Sequence, residues 1–311
     1  MQMPAHQFRC AGHRKEGNMK NKKKELISEV LIFVMPLMVL YFIFFILPLA
    51  EGIYYSLLDW DGISKDRNFV GLKNYIKLFT SDSDYFVSLA FTLKYVVLNV
   101  ILTNVLAFLL ALLVNSKLKC TKFLRTCFFL PNVISMLIVG YIWRFLFNQG
   151  CASLYKATGW DFFNISWLGG GNISVAAMVI VAMWQGVGYI MILYLSGLQM
   201  IDTSLLEAAA IDGAGKVKQF FKVTLPLMVP TIGVNLFMVV SQSFRQFDLN
   251  LSLTGGGPGR QTTSLALDIY TEGYQNNRLG YAEAKALILF LIVIVIAMLQ
   301  LKLTNSKEVE A

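Results

Sequence analysis

Apolar residues in this chain come in six long runs separated by polar connections, over residues 30–50, 85–114, 127–147, 173–195, 225–244 and 284–301. A helix needs about 20 mostly apolar residues to cross the hydrocarbon core of a bilayer. The pattern therefore predicts an all-α polytopic membrane protein with about six transmembrane helices. Within the runs, polar positions are few and ordered. Tyr95, Asn99 and Thr103 share one face of the second run, with Asn104 beside them. Trp184-Gln185-Gly186-Val187-Gly188-Tyr189 sets an amide, two glycines and a phenol mid-way along the fourth, and Asn235, Gln242 and Gln246 fall on one face of the fifth. An amide in hydrocarbon is costly unless it is paired or wet, so these faces either bond neighbouring helices or line a polar path. The glycines suit close helix packing. In the first run, Pro36 and Pro48 stand among Tyr41, Phe42, Phe44 and Phe45, which predicts a lipid-facing peripheral helix kinked at its prolines. Aromatics from Tyr54 to Trp60 form an interfacial belt, and residues 69–79 have the spacing of a short amphipathic helix lying on the membrane.

Composition agrees and adds a direction. The 311 residues are 56% hydrophobic and 15% charged, far more apolar than a soluble domain needs to be. A net charge of +8 could mark a nucleic-acid binder, but its placement argues for a membrane protein and against nucleic acid. Lys20, Lys22, Lys23 and Lys24 precede the first run; Lys117, Lys119, Lys122 and Arg125 fill the second connection; Lys216, Lys218 and Lys222 lie in the fourth; Lys302 and Lys307 follow the last run. With six spans these all fall on one side, which the positive-inside rule makes cytoplasmic, with both termini inside. The expected division is a basic tail over residues 1–25, a transmembrane domain over 26–302 containing a folded loop at 202–226, and a second tail over 303–311. The lysine run resembles a signal peptide, but the apolar run is too long and Pro48-Leu49-Ala50 is a poor cleavage site, so it reads as an uncleaved anchor. Met19 is an alternative start, which would make residues 1–18 an upstream extension.

The fourth connection carries the most organisation. Ser204-Leu205-Leu206-Glu207 has capping-box spacing, so Glu207 could bond back to the helix start. The helix runs on through Ala208, Ala209 and Ala210 and breaks at Gly213 or Gly215, where a left-handed residue costs little. A second helix, with Val217, Phe220 and Phe221, reaches Leu225-Pro226. The result is a helix-turn-helix hairpin whose alanine surface and projecting carboxylate suit a groove in another protein.

Catalytic and metal chemistry find little support. Residues 210–217 approach the phosphate-binding pattern G-x-x-x-x-G-K-[ST] but lack its first glycine, its magnesium-binding hydroxyl and a strand-loop-helix setting. Neither G-x-S-x-G nor H-E-x-x-H is present, and both histidines lie in the amino-terminal tail. His6, Cys10 and His13 would make half a metal site without a second half. Cys10, Cys120, Cys127 and Cys151 have no metal spacing and read as ordinary thiols. No catalytic residue, metal or bound cofactor is expected of this chain.

Glu207-Ala208-Ala209, then Gly213, then Leu225-Pro226, with Val223 in place of isoleucine, match the E-A-A, G, I-x-L-P signature of the permease subunits of bacterial ATP-binding-cassette (ABC) importers. With Phe69-Val70-Gly71-Leu72-Lys73-Asn74-Tyr75, Leu146-Phe147-Asn148-Gln149, Asp212-Gly213-Ala214 and Leu253-Thr254-Gly255-Gly256-Gly257-Pro258, the chain resembles the maltose-type, binding-protein-dependent carbohydrate permeases from about Leu26 onward. That resemblance implies a type I importer permease fold in the bacterial plasma (inner) membrane and a heterodimer with a second, related permease. It also implies a cytoplasmic ATPase dimer that holds ATP and magnesium and receives the hairpin through Glu207, Ala208, Ala209, Asp212, Gly213, Leu225 and Pro226. An extracytoplasmic sugar-binding protein would dock on Gly255, Gly256, Gly257 and Pro258. The implied sugar path runs past Asn132, Ser135, Met136, Gln185, Gly186, Tyr189, Gln242, Ser243 and Gln246, overlapping the polar faces above. Several of these differ from the maltose pattern, and the extra amino-terminal spans and large outer domain of the maltose subunit are absent. Amides, hydroxyls and an aromatic ring suit a neutral polyhydroxyl ligand. Two alternatives stay open. A self-sufficient secondary carrier would need ion-coupling carboxylates that the spans lack. An amino-acid or phosphorylated-polyol importer would need fixed charge, for which Arg245 is the candidate.

Overall fold

The computed structural model describes residues 30–116 and 120–305, with side chains as far as Lys302. The expected tail over 1–25 with His6, Cys10 and His13, the lysines Lys117, Lys119 and Lys307, and the side chains of the tail over 303–311 lie outside the described residues. The chain divides into two units at Tyr55 and Ser56.

The described part of the first unit is the helix α1 (Val30–Ser56) as far as Tyr55, whose side chains are almost all exposed, as a lipid-facing span requires. Its prolines are accommodated by widened π turns at Val30–Val34 and Phe42–Ile46. The carbonyls four residues before Pro36 and Pro48, those of Ile32 and Phe44, fall inside these turns, where the ring would otherwise clash.

The second unit opens with a feature the sequence pattern hid. Strands β1 (Leu58–Asp59) and β2 (Asn68–Phe69) pair antiparallel, Leu58 opposite Phe69. Phe69 therefore lies outside the amphipathic helix expected from that residue; the helix α2 (Lys73–Thr80) starts later. The Val70 N–H extends the pairing to Leu57 O at 2.9 Å, and Asn74 ties α2 back by donating to the carbonyls of Ser56 and Leu58 at 2.8 and 2.9 Å.

The bundle follows: α3 (Ser83–Asn115), α4 (Thr121–Val133), α5 (Met136–Thr158), α6 (Gly171–Met200), α7 (Thr203–Ile211), α8 (Lys216–Leu227), α9 (Val229–Phe244), α10 (Leu265–Tyr270) and α11 (Leu279–Asn305). Among the described residues, α1, α3, α6 and α11 are long and apolar enough to cross a membrane unbroken. The third and fifth expected spans are not straight: α4 and α5 meet at 94°, and α8 and α9 at 63°. Both breaks have local causes. Pro131 opens a tight turn at Leu130–Val133, after which Ile134 and Ser135 are extended. At the second, Met228 bonds back to both Thr224 O and Leu225 O, and Pro230 has no N–H to offer the Pro226 carbonyl.

The most buried of the unbroken helices is α6. Towards the end carrying the glycine-rich turn it packs Met178 and Val179 against Phe91, Tyr95, Val139 and Leu249. Towards the end carrying the α7–α8 hairpin, Ile190, Met191 and Tyr194 meet Ala107, Ala111 and Met228. The alanines, one turn apart on α3, let the two helix backbones approach closely.

Candidate functional site

The break between α4 and α5 sits beside the middle of α6, and a cavity of about 70 Å³ lies there. Seven of the nine expected path residues line it: Asn132, Met136, Gln185, Gly186, Gln242, Ser243 and Gln246. Ser135 and Tyr189 are not in the lining: Ser135 is exposed at the start of α5, and Tyr189 packs against the apolar layer at the hairpin end. Tyr95, Asn99 and Thr103 of α3 complete the wall, and no lining side chain is charged.

Several of these groups are committed to the protein. Gln185 Nε2 donates to Ile134 O at 2.6 Å, so it satisfies a carbonyl freed by the helix break and holds α6 to it. Asn99 Nδ2 donates to Ser243 Oγ at 2.9 Å, Ser243 Oγ donates to Val239 O at 2.7 Å, and Thr103 donates to Asn99 Oδ1 at 3.2 Å. Gln246 Nε2, by contrast, is buried without a protein acceptor. At about 70 Å³ the cavity is well below the ~300–1,000 Å³ of sites that enclose a small ligand, so it is too small to enclose one. A wider groove of about 300 Å³ shares Met136, Gln242 and Gln246 with it and is also lined by Arg245, Phe247 and Asp248.

The hairpin has the expected helix-turn-helix form, with one change at its start. Asp202, not Ser204, caps α7 by accepting from the Ser204 N–H at 2.9 Å, so the capping box does not form. That amide bond holds the Asp202 carboxyl below the usual carboxylate range. A lowered value stabilises above the unfolded value and is lost only as pH falls through the folded one, so the cap is in place at neutral pH. Glu207 is exposed, and no hydrogen bond or ion pair engages its side chain among the described residues. The turn is at Gly213, with φ +79°, and not at Gly215. Ala214 N–H bonds Ala209 O at 2.9 Å and Gly213 N–H bonds Ala210 O at 3.1 Å, the paired closure of a Schellman turn. Gln219 Nε2 closes the loop on Ala214 O at 2.8 Å. Ile211 is 88% exposed and Val217 72%, so the tip offers apolar surface amid Lys216, Lys218 and Lys222. Leu225 and Pro226 are half-buried at its root.

The glycine-rich turn is more ordered than its composition predicts. Asn250, fully buried, donates to Thr262 O at 2.5 Å and accepts from the Ser264 N–H at 2.8 Å. Thr262 and Thr263 hydroxyls donate to the carbonyls of Gly257 and Gly256. Gly255 and Pro258 are left exposed, while Gly256 is buried. Gln261 Oε1 accepts from Gly171 N–H at 2.9 Å, which places the turn beside a second glycine loop.

Three features had weak sequence signals. Asn250 lies between apolar residues in the turn's lead-in. Tyr194 donates to Asn104 Oδ1 at 2.7 Å, pairing α6 with α3 below the cavity. Lys285, a lone lysine in the last apolar run, is fully buried. Among the described residues no three His, Cys, Asp or Glu side chains gather as a metal site, and Cys120, Cys127 and Cys151 are free thiols.

Among the described residues, four helices long and apolar enough to cross a membrane, or six with each bent pair as one span, together with an uncharged polar cavity beside the α4–α5 break and an exposed hairpin, are the features of a membrane permease. The chain belongs to the family of binding-protein-dependent transport system inner membrane components, which it matches over residues 103–305. It is a transport subunit of the inner membrane. The probable starch degradation products transport system permease protein AmyD of Thermoanaerobacterium thermosulfurigenes is 40% identical over 90% of this chain and 94% of its own length. The multiple sugar-binding transport system permease protein MsmF of Streptococcus mutans is 39% identical over 89% of this chain and 95% of its own. A chain of a bacterial ABC transporter that imports the acidic polysaccharide alginate has the same fold, with a TM-score of 0.77 at 22% identity, covering 92% of this chain and 99% of that one.

Proposed function

We propose that this chain is one of two permease subunits of an ABC importer and conducts a neutral sugar or oligosaccharide by alternating access. The observation that carries the sugar reading is the cavity wall, which offers amides and hydroxyls and no fixed charge. Sugar hydroxyls are recognised by such groups, whereas a phosphate ester or amino acid calls for a cation or a carboxylate at the site. Arg245 lines the adjoining groove together with Asp248 and is not in the cavity, so the cavity itself offers an anionic cargo no cation. The relatives named for starch products and multiple sugars point the same way.

The exposed hairpin is the coupling element. Glu207, Ala208, Ala209, Asp212 and Gly213 present it to a partner ATPase dimer, which binds ATP and magnesium; closure of that dimer rocks the helices between two states. Lys122, Arg125, Lys216, Lys218, Lys222 and Lys302 fall on the hairpin's side of a six-span topology, and the positive-inside rule supports a cytoplasmic hairpin. Gly255, Gly256, Gly257 and Pro258 then face outward, where a sugar-binding protein docks, and the second permease supplies the opposite wall of the path.

Gln246 provides the test, because its buried N–H has no protein acceptor. Gln246→Ala is expected to raise the half-saturating sugar concentration for uptake about tenfold, the cost of one hydrogen bond of ~1.4 kcal/mol. Gln185→Ala is expected to do the same and also to slow uptake, since it frees the Ile134 carbonyl. Unchanged uptake kinetics and sugar-stimulated ATP hydrolysis in both variants would sink the assigned path.

A further inference from the structure

Lys285 has no exposed side-chain surface, although it lies at the start of the long apolar run of α11, two residues after Glu283. Its Nζ is 2.7 Å from Asp268 Oδ2 and 2.8 Å from Asp82 Oδ2. Asp268, equally buried, gives its other oxygen to the Arg260 guanidinium. Arg260 directly follows Gly259 of the glycine-rich turn, and its Nε faces Asp84 Oδ2 at 3.4 Å. An unbroken chain of charge thus runs from the turn through α10 to α11 and on to the first residues of α3.

A lysine removed from water is tolerated only when paired, and pairing adds little net stability over an apolar replacement. What such a pair does supply is direction. One ammonium here serves two carboxylates on different elements, so separating α10 from α11 or α3 strands a charge in an apolar setting. Burial alone would raise the Asp82 carboxyl, but the bonds from Lys285, Tyr281 Oη at 2.6 Å and the Tyr85 N–H hold it below its ordinary range. It is therefore charged and engaged at neutral pH. The turn's other anchor, Asn250, bonds Thr254, Thr262 and Ser264 nearby and meets Met178 of α6, and none of its own partners lies on α3 or α11. The helix that Asp82 caps is also the one that carries Asn99 and Thr103 to the cavity wall.

We propose that Lys285 and Asp268 are positioning residues that convert docking of the binding protein on the glycine-rich turn into displacement of α3 and α11. This rests on the reading of that turn as the docking site. The assay is ATP hydrolysis by the reconstituted full transporter, with and without its cognate binding protein and a maltodextrin mixture as the sugar probe. Lys285→Met alone removes the cation that Asp82 and Asp268 share, leaving Asp268 only Arg260 and Asp82 no cation, and lowers the yield of assembled complex. The double variant Lys285→Met with Asp268→Asn restores the net charge of the cluster, with Asp82 keeping its bonds from Tyr281 Oη and the Tyr85 N–H and Arg260 keeping Asp84. It is expected to assemble and to keep basal hydrolysis within twofold of wild type, while stimulation by the binding protein falls at least tenfold. A double variant that assembles and responds like wild type overturns the proposal, since the cluster would then be structural only; so does a fully responsive Lys285→Met. Gly255→Asn in the same assay keeps the two readings apart. Its backbone has φ +61°, which asparagine accepts, and its Cβ would approach nothing closer than Leu251 O at 3.9 Å, so it changes the docking surface and little else. If Gly255→Asn responds fully, the docking reading fails; if it loses the response while the double variant keeps it, only the present proposal fails.

Discussion

Gly213→Asp is expected to cut binding-protein-dependent uptake about 100-fold or more, a coupling loss of ~2.7 kcal/mol, while the folded protein in the membrane stays near the wild-type amount. The two effects separate because of where Gly213 sits. Its φ of +79° is a left-handed conformation that costs an L-residue roughly 1–2 kcal/mol, with Asp and Asn at the low end. A Cβ built there meets nothing within 4 Å, so the chain itself has room for the side chain. The Schellman closure of Ala214 on Ala209 and of Gly213 on Ala210 uses backbone atoms only and survives the change. What the aspartate disturbs is the surface of the tip, between exposed Ile211 and Val217, where an ATPase groove would close on it. Glu207→Ala acts on the same surface without backbone strain, because that carboxylate has no partner within the described chain. Co-purification of the ATPase and uptake in membrane vesicles are the readouts. Normal recruitment and normal uptake in Gly213→Asp would remove the coupling role from the hairpin.

Gly188→Ala is expected to act on the fold itself. An added Cβ would lie 1.9 Å from Phe128 O and 2.7 Å from Phe129 N, both backbone atoms of α4, so no side-chain rotation can relieve it. The helices must separate, at a cost of about 1–3 kcal/mol or more for overpacking. Since α4 also carries Asn132 to the cavity, the displacement reaches the path as well. Gly186→Ala is the control two residues away: its Cβ would meet nothing within 4 Å. Thermal unfolding in detergent should fall by several degrees for Gly188→Ala and stay within about a degree for Gly186→Ala, while sugar uptake falls in both. Equal melting of Gly188→Ala and wild type would show that α4 and α6 are not in backbone contact.

The contrast between these glycines marks what the sequence could convey. Gly186 and Gly188 look alike in a linear pattern, and close helix packing was the natural expectation for both. Only the rotation of α6 distinguishes them: Gly188 touches α4 and Gly186 faces the cavity. The six apolar runs were legible because burial in lipid demands length and apolarity, and the hairpin because its alanines and glycine obey local helix rules. The breaks at Ile134–Ser135 and Met228 were not, since proline is common in membrane helices without a bend of 94° or 63°. The polar faces on α3, α6 and α9 pointed to most of the cavity, because helical spacing converts directly into a shared face. Ser135 and Tyr189 fell outside the lining because one lies in the extended break and the other on the packed face of α6. Lys285 was visible as a lone lysine in an apolar run, but its carboxylates come from residues 17 and 203 positions away along the chain, beyond any local pattern.

The central claim is that this chain conducts sugar only when driven by a partner ATPase. The most direct measurement is radiolabelled sugar uptake into proteoliposomes holding this chain, its second permease and the ATPase, with ATP enclosed and the binding protein outside. Uptake is predicted to require ATP and the binding protein together, and to vanish when this chain is reconstituted alone under an ion gradient. Uptake by the chain alone, driven by that gradient and indifferent to ATP, would contradict the account.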